Sequence, residues 1–124
     1  WEYAARGGNK SKGYPFSGSH LINAVGAFKG NVKNIVAIRS FKPNELGIYD
    51  MSGNVWEWVW DWYADYKSSE TNNPKGVGDS STKVLRGGSA WNRENDLRVT
   101  NRREYYPEES LKSFGFRVVR SVYK

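Results

Sequence analysis

Four of the six tryptophans in this chain stand at every second position: Trp56, Trp58, Trp60 and Trp62. A period of two marks an extended strand, because successive side chains point to opposite faces. The pattern puts all four indoles on one face and Val55, Glu57, Val59 and Asp61 on the other. So much aromatic surface must be buried or used, and each buried indole N–H needs a partner. An acid within so apolar a stretch needs a counter-charge or a metal. The segment is either the core of the fold or the floor of a binding site, and the core reading is favoured.

Composition narrows the frame. A chain of 124 residues holds one ordinary domain and not two. Mean hydropathy is −0.77, and no apolar run approaches the ~20 residues of a membrane-spanning helix. Aromatic residues, at 15%, can build the core that a modest aliphatic content would not. The net charge of +6 is spread along the chain without a Lys/Arg-rich run. Acids at Glu94, Asp96, Glu104, Glu108 and Glu109 interrupt the basic, aromatic stretch 98–106, so nucleic acid is not an expected partner. Cysteine is absent, which excludes disulfides, thiolate metal sites and cysteine nucleophiles within these residues.

Trp1–Gly8 reads as the end of a helix stopped by glycine. A helix already under way at the first residue leads to the expectation of a fragment. Ile35–Ile38 is a short β-branched run expected to form a strand. Turns are expected at Pro43–Glu45 and Ser52–Asn54, and a long polar loop over 67–81. Lys83–Arg86 and Phe114–Arg120 read as strands. The expected class is α+β, with short strands joined by irregular loops.

Several segments together carry a family resemblance. They are Trp1–Gly8, Pro43–Trp58, Val84–Ser89 and Gly115–Arg120, in matching order and spacing. On these, the chain resembles the C-terminal portion of the formylglycine-generating enzyme family, also called the sulfatase-modifying factor domain. The resemblance implies a variant of the C-type-lectin fold, with residues 1–124 as the C-terminal part of one domain. The N-terminal half of that domain then becomes an expected partner. Catalytic members carry two cysteines after Gly-Gly-Ser, hold copper(I) with them and oxidise a substrate cysteine. The corresponding positions are about Asn92 and Leu97, and soft copper(I) needs thiolates that this chain lacks. The type expected is therefore cysteine-free and non-catalytic, with no copper. The alternative is an enzyme of the family with an altered metal site or with catalytic residues outside these 124. Cysteine-free relatives include bacterial surface proteins. In one group, diversity-generating retroelements vary the stretch after Gly-Gly-Ser. This chain resembles that group in Arg98–Arg102 and in its closing Gly-Phe-Arg. A bacterial origin and an envelope or extracellular location are the matching expectations.

Two candidate sites follow. The resemblance implies calcium beside the tryptophan strand, held by side chains at Asp50 and Glu57 and by carbonyls at Gly53 and Val55; hard oxygen ligands suit that ion. The competing reading pairs Glu57 with an arginine and lets Asp50 cap a turn. The second candidate is a loop surface over 89–106 for a protein or glycan ligand. Its members are Trp91, Asn92, Arg93, Asn95, Asp96, Arg98, Asn101, Arg102, Arg103, Tyr105 and Tyr106. Trp, Tyr and Arg are enriched at binding hot spots, and Asn adds adaptable hydrogen bonds. Against it stands the reading that Arg98 and Arg102 are buried partners of Glu57 or Asp61. His20, the only histidine, has no second histidine with which to hold a metal and reads as surface.

Overall fold

The computed structural model describes residues 1–66, 77–78 and 80–122. Most of the polar loop expected over 67–81 lies outside the described residues. Among the described residues, one mixed sheet organises the chain. Strand β1 is Trp56–Trp62, β2 is Lys83–Arg86, β3 is Arg102–Tyr105 and β4 is Phe114–Gly115. Their spatial order is β3-β2-β1-β4. The β1/β2 and β2/β3 pairs are antiparallel, and β4 runs parallel to β1. Helix is scarce: α1 covers Glu2–Ala5, α2 covers Ile22–Val25, and short 3-10 turns lie at Gly8–Lys10 and Glu94–Leu97. This is an α+β chain with long connections. As expected, Gly7 follows α1 in the left-handed region, at φ 92°.

The tryptophan strand forms, but its burial fades along its length. Trp56 is 2% exposed and Trp60 is 90% exposed, with Trp58 and Trp62 half-buried. The cause is a bulge. Trp58 pairs with Leu85 and Trp62 with Lys83, so the β1 side of the ladder carries extra residues between the two pairs. At Trp60 the indole leaves the packed region, and the cation of Lys83 lies 5.2 Å from its ring and 3.9 Å from that of Trp62. The expectation of a uniformly buried indole face is corrected accordingly.

Two other strands are corrected. Ile35–Ile38 forms no strand, and Ile38 is exposed. Its backbone is instead satisfied by one side chain. Asn54 accepts from the Val36 N–H through Oδ1 at 3.0 Å and donates from Nδ2 to the Val36 carbonyl at 3.2 Å. The carboxamide thus takes the place of a neighbouring strand, and Asn54 sits at φ 66° to present it. The strand expected over Phe114–Arg120 stops at Gly115. Only two pairs form with β1, Trp56 with Phe114 and Glu57 with Gly115, and two residues further on the Arg117 side chain turns to the Glu57 carboxylate.

Besides Trp56, Val84 and Leu85 on the sheet itself, buried apolar residues gather in two small clusters. Phe16, Ile22, Val25 and Leu97 form one; Ala5, Met51 and Val99 form the other, with Trp1 and Ile48 packed against it. Buried polar groups stitch the chain around them. Ser52 Oγ accepts from the Ser17 N–H and donates to the Leu97 carbonyl. Asn44 Nδ2 donates to the Ala4 carbonyl and to Ser17 Oγ. Gly53 shows why this junction is tight. Its φ is 90°, and a Cβ there would come within 2.1 Å of the Ala27 carbonyl oxygen.

Along one strand, equal truncations should therefore have unequal effects. Trp56→Ala should cost about 3–5 kcal/mol and Trp60→Ala no more than about 0.5 kcal/mol. Urea unfolding of the two variants checks this; equal losses would contradict the burial gradient.

Candidate functional site

The carboxylate of Glu57 is buried at the centre of the sheet. Strand pairing explains what meets it. Glu57 lies opposite Arg86 on β2 and Gly115 on β4, and Arg117 follows two residues after Gly115. Arg117 donates to Glu57 Oε2 from Nε at 2.7 Å and to Oε1 from a terminal nitrogen. The indole N–H of Trp1 donates to Oε2 at 2.6 Å. Arg117 reaches on to the Tyr49 and Asp50 carbonyls at 3.1 and 3.2 Å. A fork-like guanidinium gripping both carboxylate oxygens is the strongest form of such a pair. The Glu57 hydrogen bonds raise the Arg117 pKa further above its usual range; burial opposes this, and the charges of Glu57 and Asp50 reinforce it.

These contacts bear directly on the metal expectation. Asp50 Oδ2 accepts from the Arg39 N–H at 2.8 Å, its own φ being 60°. With both Glu57 oxygens turned to a guanidinium and an indole, Asp50, Gly53, Val55 and Glu57 do not fit a calcium ion as arranged. A divalent cation at Glu57 would sit against Arg117. No group of three or more His, Cys, Asp or Glu side chains gathers among the described residues. Calcium at these four residues rests on the resemblance alone.

A second charged chain runs across the same sheet face. Arg86, on β2, donates to Glu2 at 2.7 Å and to the carbonyls of Val99 and Asn101. Arg6 holds the other Glu2 oxygen at 2.8 Å. Burial pushes the Glu2 pKa up, but the hydrogen bonds and charges of Arg6 and Arg86 together outweigh it and hold the group below its ordinary value. Arg102, on β3, stacks 3.7 Å from the centroid of Tyr66 and 4.8 Å from that of Tyr63, and donates to the Ala64 carbonyl.

The loop from Ser89 to Asn101 divides sharply into inner and outer residues. Ala90, Leu97 and Val99 are no more than 1% exposed. Backbone bonds fasten the loop at 2.9–3.0 Å: Ala90 to Asn54, Val99 to Pro15, and Lys29 to Asn92. Asn92 is a hub, its Oδ1 accepting from Trp56 Nε1, the Ser89 N–H and Ser89 Oγ. Asn101 is likewise inward-turned, donating to the Asp96 carbonyl. Tyr105 packs edge-on to Phe114, which in turn meets Trp58. Outward stand Trp91, Arg93, Asn95 and Arg98, and beyond them Arg103 and Tyr106. Trp91 is 42% exposed, and its indole N–H is tethered to the Lys33 carbonyl at 3.2 Å.

The expected set over 91–106 thus falls into two groups. Trp91, Arg93, Asn95, Arg98, Arg103 and Tyr106 face solvent. Asn92, Asp96, Asn101, Arg102 and Tyr105 are partly covered, and most of them hold the frame. Neither Arg98 nor Arg102 partners Glu57; that place belongs to Arg117, whose signal lay in the Gly-Phe-Arg segment alongside Glu57. The roles of Trp1 and Arg86 gave no comparable signal, because only the fold brings residue 1 beside residue 57.

Residues 1–122 match the family of the sulfatase-modifying factor enzyme 1-like domain, and the chain belongs to that family. It is 32% identical to the serine/threonine-protein kinase pkn1 of Chlamydia pneumoniae, over 98% of this chain and 20% of the kinase. It is 32% identical to the formylglycine-generating enzyme of Streptomyces coelicolor, over 94% of this chain and 43% of the enzyme. Among solved structures, Treponema denticola variable protein 1 superposes with a TM-score of 0.84 at 31% identity, covering 94% of this chain and 43% of that one. The chain therefore spans less than half the length of each of these relatives.

Two outcomes test the site. Arg117→Ala leaves Glu57 buried and uncompensated, and should cost about 3–5 kcal/mol in urea unfolding, whereas millimolar calcium should leave the wild-type melting temperature unchanged. A calcium-dependent rise in melting temperature would overturn the guanidinium-for-metal assignment. The second concerns acid. Glu2, held low in the folded state, contributes stability above its ordinary value of 4.5 and loses it as pH falls through the folded value. Stability should fall below about pH 4.5, and less steeply in Glu2→Gln. Parallel acid limbs for the two proteins would remove Glu2 from the account.

Proposed function

We propose that the chain is a non-catalytic ligand-binding domain of the sulfatase-modifying factor type, presenting residues 89–106 to a protein or glycan. The observation that carries this reading is the split within the loop. Its apolar residues are sunk into the core while Trp91, Arg93, Asn95 and Arg98 are held outward on a frame fixed by backbone bonds. A rigid scaffold with an aromatic and cationic loop suits recognition, because little ordering entropy is left to lose on binding. The absence of cysteine supports the non-catalytic side, since copper(I) chemistry of the family kind needs thiolates.

On this reading residues 1–124 are the C-terminal part of one domain with a C-type-lectin-like arrangement, and the N-terminal half of that domain is its nearest partner. The small mixed sheet, the long loops and the length relation to the relatives support it. A bacterial protein of the envelope or exterior fits the reading. Among the described residues no helix is long and apolar enough to cross a membrane.

The test screens wild type against a glycan array and a displayed peptide library, then measures each selected ligand against Trp91→Ala and Arg98→Ala. Trp91→Ala should weaken binding at least ~10-fold, as for a hot-spot aromatic, with the melting temperature within a few degrees of wild type. Selected ligands that bind both variants as tightly as wild type would sink the proposal.

A further inference from the structure

The bulge in β1 holds Trp60 outside both core clusters. Between the pairs Trp58–Leu85 and Trp62–Lys83, the residues Val59 to Asp61 stand against Val84 alone. A bulge of this kind re-aims the side chains it carries. Here it turns a whole indole to solvent, at 90% exposure.

A cation is fixed beside that indole. Lys83 lies opposite Trp62 in the ladder, and its ammonium rests 3.9 Å from the Trp62 centroid. It also donates to the Trp60 carbonyl at 2.6 Å. The Trp60 centroid is farther off, at 5.2 Å, so the ammonium stands next to this ring and leaves it open. The carbonyl uses one of the three N–H donors of the ammonium, and the others remain. Among the described residues no carboxylate pairs with Lys83; the ion pairs there join Glu2 with Arg6 and Arg86, and Glu57 with Arg117. Asp61, between the two tryptophans, is exposed and takes no part in them. A flat apolar surface and an oriented cation thus stand side by side where β1 ends and β2 begins.

From this juxtaposition we infer that Trp60, Trp62 and Lys83 bind a carboxylated sugar, its ring on the Trp60 indole and its carboxylate on Lys83. Charge complementarity selects an anion. The open indole selects the rest of the ligand, because its π face attracts the C–H face of a pyranose ring. In a uronic or sialic acid the carboxylate is fixed to that same ring. An acidic peptide side chain carries its carboxylate on a flexible stem and has no such face, and a neutral sugar gives the ammonium no counter-charge. The site adjoins the 89–106 surface, since Lys83 pairs with Tyr105 on its other side, but it uses none of that loop's outward residues. Its failure would leave the reading of 89–106 untouched, because that reading is tested at Trp91 and Arg98.

Calorimetric titration of the intact polypeptide with trigalacturonate and with sialyllactose tests the inference, against neutral maltotriose and a hexaglutamate peptide. One of the two acidic sugars should bind at least ~10-fold more tightly than either control, and Trp60→Ala and Lys83→Gln should each weaken that binding at least ~10-fold. Lys83→Gln should also flatten its dependence on salt, and Lys83→Arg, which keeps the charge, should retain it. Failure of both acidic sugars to bind at millimolar concentration would overturn the inference, and so would affinities in Trp60→Ala and Lys83→Gln equal to wild type. Hexaglutamate binding that is lost in the same two variants would overturn the sugar assignment and give the site to an acidic peptide.

Discussion

One buried carboxylate ties together the two ends of this chain. Glu57 sits on β1 at the middle of the sheet; the charge that balances it comes from residue 117, and a further hydrogen bond comes from the indole of residue 1. A buried charge without such partners would be driven to protonate or to open the structure. The requirement is therefore architectural. Helix α1 must lie where the Trp1 indole can reach Oε2, and β4 must run parallel to β1 so that Arg117 can grip both oxygens. Once these are set, Arg117 also ties the Tyr49 and Asp50 carbonyls to the same point, and the loop before β1 has little freedom left.

Much of this economy comes from polar side chains acting where a larger protein would use secondary structure. Asn54 stands in for a strand beside Val36. Ser52, Ser17 and Asn44 link three loops through hydrogen bonds in the interior. Asn92 gathers an indole, an amide and a hydroxyl on one oxygen. These links run between and around the apolar clusters and join loops that no strand or helix connects. Each is sensitive to a single substitution, because removing one partner leaves the other buried and unpaired.

The legible part of the sequence was the part governed by local periodicity. The strand at 56–62, the strand at 83–86 and the helix end before Gly7 all follow from spacing and from glycine. Ile35–Ile38 looked equally strand-like, but a run of β-branched residues needs an adjacent ladder, and the sequence could not show that a lone carboxamide would take its place. The bulge that releases Trp60 is invisible to a period of two. The loop over 89–106 was legible as a region from its Trp, Arg and Asn content. Which members face outward was not, because the anchoring of Ala90, Leu97 and Val99 depends on Asn54, Pro15 and the first core cluster, all distant in sequence.

The division within that loop has a consequence for how such a domain can change over time. Residues that secure the backbone and residues that meet solvent occupy different positions, at 90, 97 and 99 and at 91, 93, 95 and 98. Substitutions of the second kind touch few buried contacts, and surface changes of that sort usually alter stability by no more than about 0.5 kcal/mol. New combinations of side chains can therefore be sampled at the outer positions while the chain keeps folding to the same frame. Variation at the outward positions and preservation of the fold fall to separate residues, so selection can act on one without eroding the other.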